Sequence, residues 1–321
     1  MDVIDFEPLK FEESFVVFLD VLGFSALVYS DDEEKLQKVN FYFWMVEKYL
    51  KQLQEELEEI NENSKSLGVT NDTLLKLNYI LISDSIIITI RQIKYDFSDM
   101  NKVKFDSLDK YFSDTDKFKK IKPVKEKQKE LYLLIKEQVE LYNMLNKAGF
   151  EKLCGAIENI QKTLASQDVW LRGAITTGTT HISTNKKQII GKTYIDAYKL
   201  ESKAIYPRVV LDEKIIQELY YRNEEEFIRN TVYMFHWNDV SLEKDIPLFI
   251  DYFRFSIAIP NNDTYVNDIV NNVLMNYESS KGESYHNKYS WLLEYIRICL
   301  ERGDKSYSDL LDKINAFNLK K

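Results

Sequence analysis

Cysteine and histidine are scarce in this chain, basic charge does not dominate it, and no long apolar run occurs in it. Its two cysteines, Cys154 and Cys299, stand far apart in stretches of helical pattern. That argues against a disulfide framework and for a reducing compartment. The three histidines, His181, His236 and His286, lack the spacing of metal ligands, which argues against a zinc site. Acids outnumber bases, 52 to 43, for a net charge of -9, so nucleic acid is not expected as the main partner. No stretch reaches the length of a membrane span, and residues 1–10 are acidic and mixed rather than a signal peptide. A cytoplasmic protein is the expectation.

What remains is a chain of 321 residues, enough for one large core or for a core with a helical appendage. Phe15 to Leu19 form an apolar strand ending in Asp20, Val21, Leu22, Gly23, Phe24 and Ser25. A carboxylate at the mouth of a buried strand is costly unless paired or bound to a cation. A second acid, Asp84, sits in a Ser83-Asp84-Ser85 island between two branched apolar runs, the pattern of a tight hairpin. Strand-ending aspartates are also ordinary turn formers. If the hairpin abuts the first strand, however, both carboxylates face one pocket and can hold hard divalent cations, which suits phosphoryl transfer.

Between and beyond these motifs the chain alternates in character. Leu36, Val39, Phe43, Val46, Leu50 and Leu53 make a helical core stripe. Residues 55–63 are polar and lead to an expected turn around Gly68, before the hairpin of 74–90. Residues 91–130 carry many Lys, Asp and Ser without a period and are expected to be an insertion, its lysines a solvated surface. A helix over 131–166, interrupted near Gly149, delivers the chain to Trp170. Residues 183–187 turn a hairpin, Gly191 opens a helix that Pro207 ends, and a strand and short helix follow over 208–219. The last strands are expected over 233–237 and 247–258. Beyond Pro260 the apolar residues are helix-spaced.

Trp170, Leu171, Arg172, Gly173, Ala174 and Ile175, followed by the Gly191 helix with Ala197, Tyr198, Lys199, Leu200 and Glu201, complete a pattern. Together with the Asp20 and Asp84 motifs, in order and approximate spacing, it resembles the class III nucleotidyl cyclases. Within them the chain is most similar to the pyrimidine cyclases of bacterial anti-phage defence (Pycsar systems), on Ala197 to Ser202 followed by Tyr206, Pro207, Arg208, Val209 and Val210. The resemblance spans roughly residues 14–255, and it is most specific at the Asp20 and Arg172 motifs.

The resemblance implies an α+β fold, with a class III catalytic domain over 1–260, built on a ferredoxin-like palm sheet with flanking helices, and a helical extension over 261–321. It implies cyclisation of UTP to cyclic UMP, or of CTP to cyclic CMP. Two Mn²⁺ or Mg²⁺ ions would sit on Asp20, Asp84 and the Val21 carbonyl. Gly23, Phe24 and Ser25 would meet the phosphates, and Arg172 would clamp them. It also implies a homodimer with shared sites, two-fold symmetric, and a separately encoded effector that responds to the cyclic nucleotide.

Departures from the family pattern are informative. Its transition-state Asn falls at Ile195 and its Arg at Lys199, leaving Asp196 or Tyr194 as stand-ins for the former. The base-reading positions are Ile80 and Gln188, which do not form a purine-reading pair. Gln188 offers one acceptor and two donors, able to match uracil or cytosine. Two other readings stand beside this one: a non-catalytic nucleotide-binding regulator, and another two-metal phosphotransfer enzyme. A diguanylate-forming protein would carry Gly-Gly-Asp-Glu-Phe at the hairpin, where this chain has Ile82, Ser83, Asp84 and Ser85.

Overall fold

The computed structural model describes residues 8–66, 69, 74–94, 124–220, 234–236, 248–253, 263–302 and 307–318. Most of the expected insertion and the turn at Gly68 lie outside them, whereas its last residues, 124–130, with Lys125, Lys127 and Lys129 of the lysine run, are helical. Strand β1 (Glu12–Leu22) opens the fold and lies inside the sheet, with a strand on either side. It is followed by a single-turn helix α1 (Phe24–Val28), a long helix α2 (Glu33–Ser66), and a hairpin of β2 (Lys76–Ile82) and β3 (Ser85–Arg91). A second long helix, α3 (Val124–Ala165), leads into β4 (Trp170–Ser183). The four strands lie in the order β2-β3-β1-β4, with β1 antiparallel to both neighbours. Two β-α-β units interleaved in this way form the split arrangement of a ferredoxin-like sheet.

β4 turns back through the short strand β5 (Gln188–Ile190) and helix α4 (Lys192–Ala204) to β6 (Val209–Leu211), which pairs with β4 in parallel. Parallel neighbours need such a crossover. Helix α5 (Glu213–Leu219) follows, its first turn capped by Asp212, which accepts from the Lys214 amide at 3.0 Å. Strands β7 (Met234–His236) and β8 (Leu248–Ile250) extend the mixed sheet beyond β6.

Alternation along β1 assigns the two faces. Phe15, Val17, Leu19 and Val21 enter the core beneath α2 and α3, with Leu50, Leu53, Phe150 and Leu153. Val16 and Phe18 face the other way and meet Ile87 and Ala197 of α4. α2 stays helical through the polar 55–63 stretch because Leu57 is buried and Ile60 packs on the same core. Nor does Gly149 interrupt α3: a Cβ there would lie 2.9 Å from Leu75 Cδ1, so the glycine admits the start of the hairpin against the helix.

The C-terminal helices are α6 (Asp263–Ser279), α7 (His286–Arg302) and α8 (Ser308–Asn318). They pack on the sheet: Val270, Leu292, Tyr295 and Ile296 share one core with Trp170, Ala174, Val210 and Phe249. Among the described residues no helix is long and apolar enough to cross a membrane.

Candidate active site

The register of the sheet assembles the candidate site. Asp20 lies opposite Ser85 on β3 and opposite Arg172 on β4. Asp84, in the β2–β3 turn, reaches the same corner because its carbonyl accepts from the Val21 amide at 3.1 Å and from the Tyr42 hydroxyl at 3.3 Å. The turn is tight enough to hold Ser83 at φ 56°, in the left-handed region. By strand alternation Asp20 shares its face with Phe18, and Arg172 with Ala174, so both point toward α4. The hairpin does abut the first strand, and Asp20, Val21, Asp84 and Arg172 meet at one end of the sheet.

Electrostatics at this corner favour a cation. Burial raises the Asp20 pKa above its ordinary value; the Asp84 charge adds to that, while Arg172 and a Ser85 hydrogen bond oppose it. Arg172 Nη2 donates to Asp20 Oδ2 at 3.3 Å. Burial and the two carboxylates also raise the pKa of the Tyr42 phenol. At the end of β1, Gly23 adopts φ 80°, a conformation that disfavours side chains, and starts α1 with nothing within 4 Å of where a Cβ would lie. Phe24, half-buried, contacts Tyr42 with ring centroids 6.2 Å apart, and Ser25 is exposed.

α4 brings a residue that the sequence reading left without a role. Thr193, Ala197, Glu201 and Ala204 form the buried stripe of this helix. Glu201 Oε1 forms an ion pair with Arg172 Nε, and neither atom has a hydrogen-bond partner among the described residues. Burial raises the Glu201 pKa, with Arg172 lowering it and Asp20 raising it. The signal available in sequence was a glutamate at the spacing of Ala197 and Ala204, on a face otherwise made of small residues.

The other candidates lie elsewhere in the chain. Tyr194 packs on Phe18, as does Tyr198 at 5.5 Å edge-on. Ile80 is buried opposite Ile87, on the same sheet face as Asp20. Gln188 is exposed and pairs with Ser183, at the opposite end of β4 from Arg172. Eleven residues of strand separate those ends, about 35 Å at the usual rise. Lys199 is exposed on the outward side of α4, lining a cleft of about 450 Å³ with Lys192, Lys203, Asp196 and Lys214. Ile195 is also exposed. One chain therefore unites the acids with Arg172, and leaves Gln188 and Lys199 apart from them.

Among the described residues no group of three or more His, Cys, Asp or Glu is set to hold a metal. The donors present are two carboxylates and a strand carbonyl, all oxygen. They fit a divalent cation that shares its coordination with substrate phosphates, as Mg²⁺ does when one or two carboxylates hold it.

No protein-family model and no curated protein matches this chain. Among solved structures it is similar to the adenylyl cyclase CyaB from P. aeruginosa, at 9% identity and a TM-score of 0.35, over 76% of this chain and 95% of that one. A likeness that loose adds no weight to the geometry.

Proposed function

We propose that this chain is a metal-dependent pyrimidine nucleotide cyclase that converts UTP to 3′,5′-cyclic UMP and diphosphate. The observation that carries the reading is the meeting of Asp20 and Asp84 at one end of a split β-α-β sheet, with Arg172 directly across from Asp20. Asp20, Asp84 and the Val21 carbonyl would hold two Mn²⁺ or Mg²⁺ ions, which supply positive charge to the α-phosphate and acidify the ribose 3′-hydroxyl. Arg172 would leave Asp20 for the β- and γ-phosphates, for which its planar fork is suited. The positive φ of Gly23 turns the backbone sharply beside the acids, and Phe24 and Ser25 would flank the triphosphate there. Charge that grows on the leaving diphosphate would be met by donors already in place.

The separation of Gln188 and Lys199 from the acids within one chain supports a two-fold homodimer, in which each site takes acids and Arg172 from one subunit and Tyr194 and Lys199 from the other. Ile80 and Gln188 would meet the pyrimidine, with CTP as the alternative substrate. The product would be a second messenger of anti-phage defence, read by a separately encoded effector. The exposed Ile195, where a hydrogen-bonding residue is expected, favours a second reading: a non-catalytic nucleotide-binding regulator.

Incubation of the purified chain with ATP, GTP, CTP and UTP in Mn²⁺, with products identified by mass, tests both readings. The first predicts a cyclic pyrimidine nucleotide that is absent with Asp20→Ala. The second predicts nucleotide binding without product.

A further inference from the structure

A buried carboxylate is unfavourable unless it is paired. The Glu201 side chain is 3% exposed, and its partner is Arg172, whose own side chain is 30% exposed. The strand thus offers a partly exposed arginine, and α4 holds its buried Nε from behind. Nε is engaged by Glu201 and Nη2 by Asp20, while Nη1 makes no hydrogen bond among the described residues. With the Nε contact removed and Nη2 released from Asp20, the guanidinium would rotate about its side-chain torsions. Held at Nε, it presents its terminal nitrogens to the corner where Asp20 and Asp84 meet.

We propose that Glu201 is the positioning residue of the anion clamp, fixing Arg172 so that its terminal nitrogens face the triphosphate subsite. The proposal rests on the reading of that corner as a phosphate site. Glu201 touches neither substrate nor metal and acts through Arg172. Because it belongs to α4, it also ties the helix that carries Tyr194 and Lys199 to the strand that carries the clamp.

The test is a double-mutant cycle read by calorimetric binding of inorganic tripolyphosphate in Mn²⁺, a probe with phosphates but no base and no turnover. Glu201→Gln is expected to weaken binding about tenfold, the scale of one charge-assisted contact. Glu201→Asp, which keeps the charge on a shorter arm, is expected to recover part of it. In an Arg172→Gln background, Glu201→Gln is expected to change nothing further. Equal affinity of wild type and Glu201→Gln overturns the proposal, as does an equal loss in both backgrounds. A wild-type chain that binds no tripolyphosphate overturns the phosphate-site reading, and this proposal with it. Circular dichroism reports whether each variant is folded; if Glu201→Gln alone does not fold, Glu201→Asp takes its place in the cycle, with a smaller loss expected that also vanishes in the Arg172→Gln background.

Discussion

Glu158 shows what an incompletely satisfied carboxyl does to this fold. It is buried in α3, its Oε1 has no hydrogen-bond partner among the described residues, and Lys162 Nζ stands 4.0 Å away. Burial pushes its pKa from 4.5 up to about 8, with Lys162 opposing and Asp251 reinforcing the rise. A raised folded pKa contributes stability that is fully present below the unfolded value and lost as pH climbs through the folded one. Between pH 4.5 and 8 this group should therefore remove stability as pH rises, by up to about 1.4 kcal/mol per pH unit. Glu158→Gln is expected to flatten that slope and to raise the melting temperature at pH 8; an unchanged slope in thermal melts at pH 5 and 8 would contradict it. At the candidate site the legible residues were those whose type conflicts with their setting: Asp20 at a strand mouth, Asp84 between apolar runs. The partner of Glu201 was not legible, because the pairing of a helix with a strand 29 residues earlier is fixed by tertiary register and leaves no local pattern.

The elements are packed tightly enough for single atoms to matter. Gly173 follows Arg172, and a Cβ there would come within 2.5 Å of the Phe18 carbonyl oxygen and 2.6 Å of Leu19 Cδ2. Gly173→Ala is expected to push β4 off β1, destabilising the fold by about 1–3 kcal/mol, as overpacking usually does. A variant that melts within a degree of wild type would show that β1 and β4 separate easily. Gly191 is constrained in a second way: its φ of 152° disfavours a side chain, and a Cβ would meet Thr180 Oγ1 at 2.7 Å. Most elements were legible from periodicity, including β1, the β2–β3 hairpin, α4 and the helices beyond 260. The polar 55–63 stretch and Gly149 misled because both read as breaks. Leu57 and Ile60 anchor the former to the core, and the close approach of Leu75 accounts for the latter.

At the scale of the whole molecule, the C-terminal helices share a core with β4, β6 and β8. Removing residues 261–321 would expose Trp170, Val210 and Phe249 together. Such a truncation is expected to lose cooperative unfolding in a denaturant titration, whereas an undiminished transition would mark the helices as a separate unit. Leu292→Ala, in the middle of that core, is expected to cost about 2–5 kcal/mol. The proposed dimer makes a sharper prediction. If each site takes its acids from one subunit and Lys199 from the other, Asp20→Ala and Lys199→Ala chains are each inactive alone. Mixed in equal amounts they should regain about a quarter of wild-type activity, since half the dimers are mixed and one of their two sites is whole. Mixtures as inactive as their components would place both residues in one subunit's site. Nothing local in the sequence reports this scale: Lys199 reads the same whether it serves its own chain or a second copy.

The central claim is that the corner formed by Asp20, Asp84 and Arg172 cyclises a pyrimidine nucleotide. The most direct test is mass identification of products from each of the four nucleoside triphosphates in Mn²⁺, with Asp20→Ala alongside. The account predicts cyclic UMP from UTP and none from the variant; UTP left intact by the wild-type chain, or a cyclic product that persists with Asp20→Ala, would contradict it.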